Sequence, residues 1–216
     1  MLEIIILQIL EIIGTVAFAI SGAFVAIKAR LDLFGVLFVG CITAVGGGIM
    51  RDILIGQTPP VIFSKLYILI IAACSALAVF IISYIYNQKF DELEKKTEHV
   101  NNFFDAIGLA AFSVMGTETA FVQGLSSNVF LAIMLGVLTG VGGGVLRDTL
   151  TSTTPYIFKK HVYAVASLLG ASVYYILRVA LNGTLIASAV GMLLILAVRM
   201  LATKYRWSLP KVHLQD

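Results

Sequence analysis

Long apolar runs, separated by short polar stretches, dominate the chain. A membrane-crossing helix needs about 20 mostly apolar residues. Seven segments meet that length, at about 4–27, 33–56, 66–86, 103–123, 128–150, 162–181 and 184–203. The longest polar stretch, 87–102 (NQKFDELEKKTEHVNN), mixes both signs of charge and reads as a solvated connector. Phe90, Leu93 and Val100 are spaced to meet the membrane surface if it coils into a short helix. The first run does not read as a secretory signal: it carries Glu3 and Glu11, no basic residue precedes Lys28, and no clear cleavage site follows. The pattern predicts an all-α integral membrane protein, a single transmembrane domain over 1–216.

Composition agrees with the pattern. Of 216 residues, 59% are hydrophobic and 12% charged, against roughly 25% charged in a soluble domain. Mean hydropathy is +0.98. A net charge of +3, dispersed along the chain, gives no footprint for a nucleic-acid partner. Cys41 and Cys74 lie inside apolar runs and read as small core-packing residues, neither a disulfide framework nor a zinc site. His99, His161 and His213 are scattered over polar segments. With no nucleophile–base pair, phosphate-binding loop or metalloprotease motif, the chain is not expected to be an enzyme or to need a cofactor.

Basic residues set the orientation. One side collects Lys28, Arg30, Lys89, Lys95, Lys96, Lys159, Lys160, Arg199, Lys204, Arg206 and Lys211. The other holds Lys65 and Arg178, with Arg51 and Arg147 set aside as near-membrane residues. The N-terminus is therefore expected outside and the tail 204–216 in the cytoplasm of a plasma (inner) membrane. Tyr205 and Trp207 suit an interfacial belt.

The chain also repeats itself. Residues 46–52 read GGGIMRD and residues 142–148 read GGGVLRD, a spacing of 96. Downstream, Pro59 matches Pro155, Val61 matches Ile157 and Tyr67 matches Tyr163. Upstream the spacing is 94, pairing Gly14 with Gly108, Phe18 with Phe112 and Gly22 with Gly116. Two extra residues are thus expected in the second half's first loop. Each half, about 4–86 and 103–181, holds three spans, an odd number, so the second must enter from the opposite side. The seventh span, about 184–203, has no mate and is expected outside the pseudo-symmetric core.

Three consecutive glycines weaken a helix by roughly 1 kcal/mol each relative to alanine. Gly46, Gly47, Gly48 and Gly142, Gly143, Gly144 are therefore expected to break the second and fifth spans. Freed carbonyls there would attract a cation, and the amide ends of the trailing half-helices an anion. Close helix packing is the simpler role for such residues, but two runs at matched positions, each followed by Arg-Asp, favour a functional break. Charges at this depth need partners; the expectation is a clamp across the repeat axis, Arg51 with Asp148 and Arg147 with Asp52, that also lines the path. Thr43 and Thr139, three residues before each run, are weaker pore candidates whose hydroxyls can equally bond back to the helix. Glu118, Asp105, Ser21 and Thr15 are weaker pointers still, with Glu118 read as structural or solvated.

Paired GGGxxRD motifs in a three-plus-three inverted repeat with a seventh span resemble the prokaryotic relatives of the trimeric intracellular cation channels, over about residues 4–203. Related bacterial chains are also described as glycine transporters. The resemblance implies a homotrimer with a pore in each subunit, lined by the second and fifth helices. Carried over, the six glycines would present carbonyls to K+ (or Na+), and Arg51, Asp52, Arg147 and Asp148 are the charged ends of the motifs. Membrane lipids are the remaining expected partners. Two carbonyl clusters per pore predict a partly hydrated ion and modest discrimination against sodium. The rival reading is a secondary transporter of a small zwitterion such as glycine, with the arginines meeting its carboxylate.

Overall fold

The apolar runs fold as helices in the computed structural model, which describes residues 2–85, 94–159 and 162–207. The order is α1 (Leu2–Lys28), α2 (Leu33–Leu54), a 3-10 turn (Val61–Ser64), α3 (Leu66–Ile85), α4 (Glu94–Val122), α5 (Val129–Leu150), a short α6 (Tyr156–Lys159), α7 (Tyr163–Leu181) and α8 (Thr184–Lys204). Among the described residues, six of these helices are long and apolar enough to cross a membrane: α1, α2, α3, α5, α7 and α8. Helix α4 falls outside that set because Asp105, Thr117 and Glu118 interrupt its apolar run. It is already helical at Glu94, so the second part of the expected connector is helical, while residues 87–93 lie outside the described residues.

Local sequence signals end the helices at matched places. Asp32 caps α2 by accepting the Gly35 N–H at 2.8 Å, and its mate Asn128 caps α5 by accepting the Leu131 N–H at 3.0 Å. Such side-chain acceptors satisfy amides that a helix start leaves unpaired. Beyond α2 and α5 the chain turns through left-handed residues at matched positions, Gly56 (φ 76°) and Ser152 (φ 54°). The loop 29–32 of the first half becomes 123–128 in the second, which is where the two extra residues fall.

Helices α1, α2 and α3 pack together, as do α4, α5 and α7, and the two bundles meet along α1–α4 and α2–α5. Reciprocal contacts mark the pseudo-twofold axis. A Cβ on Gly14 would meet the Phe112 ring at 3.0 Å, and one on Gly108 would overlap the Phe18 ring. The two rings themselves stack tilted, with centroids 5.4 Å apart. Gly47 lies against the Thr139 carbonyl, and Gly143 against the Thr43 carbonyl, each too close to admit a Cβ. The interfaces thus rely on small residues, as expected where lipid removes the hydrophobic drive between helices. Bulky residues point outward: the mates Phe34 and Phe130 are each 75% exposed, which suits lipid contact and not a core. Helix α8 packs on α7 and α4, through Gly170, Gly191 and Ile195.

Two expectations are corrected here. Helices α2 and α5 run unbroken through Gly46–Gly48 and Gly142–Gly144. At Gly47, Gly142 and Gly143 the backbone of the other helix occupies the space a side chain would need, and Gly46 and Gly144 face the Leu146 and Tyr163 side chains, so close crossing accounts for these five where a break had been expected; Gly48 has room. Cys41 packs against the core, but Cys74 is exposed on the outside of α3.

Candidate functional site

The Arg-Asp pairs end α2 and α5, where each aspartate does two jobs. Asp148 accepts from Arg147 Nε at 2.8 Å through Oδ1, and from the Tyr156 N–H at 2.8 Å through Oδ2. Asp52 accepts from Arg51 Nη2 at 2.7 Å, and from the Val61 N–H at 2.9 Å. The one-residue difference in the loop amide has a chemical cause. Pro60 stands where the second half has Tyr156, and proline has no N–H to give. Charge pairing therefore runs within each motif, and the expected clamp of Arg51 with Asp148 and Arg147 with Asp52 is not formed. Each carboxylate is already held by its own loop and its neighbouring arginine.

Beyond that shared plan the two ends differ. At the second-half end, Arg147 is fully buried. Its Nη1 donates to Asp105 at 2.7 Å and to Ser21 at 2.6 Å, and its guanidinium lies 5.0 Å from the Tyr156 ring centre. The Ser21 hydroxyl donates to Asn101 at 2.8 Å. Tyr163 donates to Asp105 at 3.4 Å, and Arg199, reaching in from α8, lies 3.8 Å from the same carboxylate with its guanidinium over the Tyr163 ring. Burial pushes the Tyr156 hydroxyl up, so it stays a neutral partner. Two arginines face two aspartates, which is how buried charge is tolerated at this depth.

At the first-half end the equivalent groups stand apart and border a cavity of about 380 Å³, whose rim reaches the exposed Val122 and Gln123. Its wall includes Glu11, Thr15, Gly48, Arg51, Asp52, Lys65, Glu118 and Thr139. Lys65 Nζ donates to both oxygens of Glu11, at 2.7 and 2.9 Å. Glu118 is held from behind by the Tyr174 hydroxyl at 2.6 Å and Arg178 Nε at 3.2 Å. Three carboxylates and two cations thus line the wall.

Of the residues singled out in the sequence, Gly48, Arg51, Asp52 and Thr139 border the cavity. Gly46, Gly47, Gly142, Gly143 and Gly144 are buried where α2 crosses α5. Thr43 is buried as well, and its hydroxyl donates back to Val39 at 2.6 Å; Thr139 does the same to Leu135 at 2.6 Å. Glu118 is buried and structural, as expected, yet also meets the cavity. His99 is exposed, and His161 and His213 lie outside the described residues. No group of His, Cys, Asp or Glu suited to a metal ion occurs among the described residues. Sequence reasoning passed over Asn101, Tyr156, Arg199 and the Glu11–Lys65 pair. The repeat held one usable signal: at the upstream spacing of 94, Glu11 is the mate of Asp105.

Two three-helix bundles joined through small residues, with a charge cluster beside each Arg-Asp pair and six helices long and apolar enough to cross a membrane among the described residues, define a polytopic membrane protein. Comparison with known proteins narrows the class. A family model described as "Glycine transporter" matches residues 8–84 and again 102–179, and the two starts reproduce the upstream spacing. The UPF0126 inner membrane protein YadS of Escherichia coli K12 is 34% identical over 96% of both chains. A structure solved in work on conductance through TRIC cation channels is 37% identical, covers 97% of this chain and 98% of its own, and superposes with a TM-score of 0.82. A crystal structure of a prokaryotic TRIC channel in 0.5 M KCl is 34% identical, with coverage of 95% and 99% and a TM-score of 0.84. The chain belongs to this family, which joins the TRIC channels, the UPF0126 proteins and the glycine-transporter model.

Proposed function

We propose that the chain is a potassium-permeable channel for monovalent cations, passive and without a covalent reaction, with a pore in each subunit of a homotrimer embedded in lipid. Helix α4 is then the seventh crossing: its 29 residues are ample for a bilayer at 1.5 Å per residue, and it packs against α1, α5, α7 and α8. Basic-residue bias and the inner-membrane relatives support the plasma (inner) membrane, with the N-terminus outside and the C-terminus in the cytoplasm. The cavity is then an external vestibule and the Arg147 cluster an internal seal.

The observation that carries the reading is the vestibule's charge. Glu11, Asp52 and Glu118 border the cavity with Arg51 and Lys65, and the third balancing cation, Arg178, holds Glu118 from behind the lining, so carboxylate charge lies closer to the cavity than its counter-charge and favours cations over anions there. From Gly48 the path continues along the α2–α5 crossing towards Gly144, which ends beside the Tyr163 hydroxyl. In the state described, that stretch is packed shut and Arg147 fills the inner end. A K+ or Na+ ion passes only when the crossing loosens, keeping part of its water; because α2 and α5 run unbroken, the carbonyls of the two glycine runs stay in their helix ladders and offer the ion only their second lone pairs.

A planar-bilayer recording of purified protein under a potassium chloride gradient tests this. The expected result is unitary currents reversing near the potassium equilibrium potential. Silence at every voltage, with saturable glycine uptake in liposomes of the same protein, would replace the channel with a zwitterion transporter.

A further inference from the structure

The two halves hold the same constellation in two different arrangements. Five repeat pairs make the comparison: Arg147 with Arg51, Asp148 with Asp52, Asp105 with Glu11, Asn101 with Leu7 and Ser21 with Met115. Every first-named member belongs to the buried, bonded cluster. Every second-named member lines the cavity. Each arginine lies back along the third glycine of its own motif in the same way, with Nη2 3.8 Å from a Cβ built on Gly48 or Gly144. What differs is the acceptor. Arg147 has claimed Asp105, whereas Glu11 is held by both its oxygens on Lys65, and Arg51 keeps Asp52 alone.

We propose that Glu11 is the acceptor of an outer gate and that Lys65 is the residue that holds this gate open. With Lys65 on Glu11, and Tyr174 and Arg178 on Glu118, both other carboxylates of the vestibule are already engaged and Arg51 closes onto neither. When Lys65 releases, Arg51 takes Glu11 as Arg147 takes Asp105, α1 and the end of α2 draw together, and the vestibule narrows. The seal so formed is weaker than the inner one, because Met115 and Leu7 stand where Ser21 and Asn101 supply hydrogen bonds. Lys65 and Glu11 are only partly buried, with side chains 34% and 16% exposed, so exchange does not demand a charge left bare in the protein interior. The inference rests on reading the cavity as the outer vestibule of the conduction path, but it concerns geometry and is testable without current.

The test places a reporter cysteine at Ile49, on the vestibule wall, in a background with Cys41 and Cys74 replaced by serine. The rate of modification by a membrane-impermeant, cationic methanethiosulfonate is measured in proteoliposomes, with Lys65→Gln, Glu11→Gln and the double variant compared. Lys65→Gln is expected to slow labelling about twofold, because losing a partly exposed ion pair shifts the open-to-closed ratio about fivefold from a starting state in which the open arrangement is favoured. Adding Glu11→Gln to it removes the carboxylate charge that draws Arg51, leaving only a neutral amide oxygen, and is expected to restore the original rate, which a merely destabilised fold would not do. An unchanged or faster rate in Lys65→Gln overturns the proposal, as does failure of the double variant to recover. Wild-type currents are recorded in parallel: their absence defeats the channel reading, while the labelling pattern judges the gate.

Discussion

Gly47 and Gly143 set how closely the two halves approach, because each faces a carbonyl oxygen of the opposite helix with no room for a Cβ. Two effects of alanine compete there. Its helix propensity favours the substitution by about 1 kcal/mol. Forcing a methyl group into a packed backbone contact costs about 1–3 kcal/mol or more, and the neighbour is a carbonyl that cannot rotate away. Gly47→Ala and Gly143→Ala should therefore lower the thermal unfolding midpoint of the detergent-solubilised protein. Gly48→Ala serves as the control, since its Cβ would meet only the end of Arg51 at 3.8 Å, and it should be neutral or slightly stabilising. Equal midpoints for all three would mean that the crossing is looser than described. The glycine runs were legible in the sequence as special positions. Their role was not, because a broken helix and a tight crossing call for the same residue, and only the partner across the gap distinguishes them.

At the scale of elements, the Arg-Asp pairs stop α2 and α5 and fold the following loop back. Asp148→Ala removes a bond to a fully buried arginine together with the Tyr156 amide bond, and should cost on the order of 3 kcal/mol. Asp52→Ala should cost less, about 1–2 kcal/mol, because Arg51 borders the cavity and exchanges its partner for solvent more readily. Unfolding by increasing denaturant checks the order, and a larger loss at Asp52 would contradict the unequal burial of the two arginines. Hydropathy located the α2, α3, α5, α7 and α8 runs well, since a crossing helix announces itself by length alone. It missed the start of α4 because residues 94–102 are polar on most faces, yet Asn101 and Asn102 turn inward. Pairing of each arginine with its own aspartate was hidden for a different reason: adjacent residues on a helix diverge, and they meet here only because both sit at the helix end beside a returning loop.

For the whole molecule, the inverted repeat of the proposed channel forces a choice that a single helix bundle never faces. If the two halves were in one arrangement, the path would be open at both ends or sealed at both. Here Asp105 is engaged by Arg147 while its mate Glu11 is engaged by Lys65, so removing either carboxylate's charge should act unequally on conduction. In the proposed channel Asp105→Asn removes the charge that holds the inner seal, and Arg147 then keeps Asp148 and Ser21 with only a neutral amide oxygen in place of the carboxylate. Open probability in single-channel recordings should rise by about an order of magnitude, the scale of one weakened charge-assisted bond in a buried site. Glu11→Gln neutralises a carboxylate that Arg51 is not using, so open probability should stay within about twofold of wild type, while cation entry into the vestibule weakens and unitary conductance falls. Size-exclusion profiles of both variants separate gating from misfolding. Equal gains in open probability from the two substitutions would mean that the resting protein exchanges freely between the two arrangements, and the polarity of the path would then be set by voltage or ligand and not by the resting fold. Unequal gains tie the direction of the seal to chemistry: a serine and an asparagine in the second-half end where the first has methionine and leucine. Four residues outside the GGGxxRD motifs would thus decide which end of a duplicated fold stays shut.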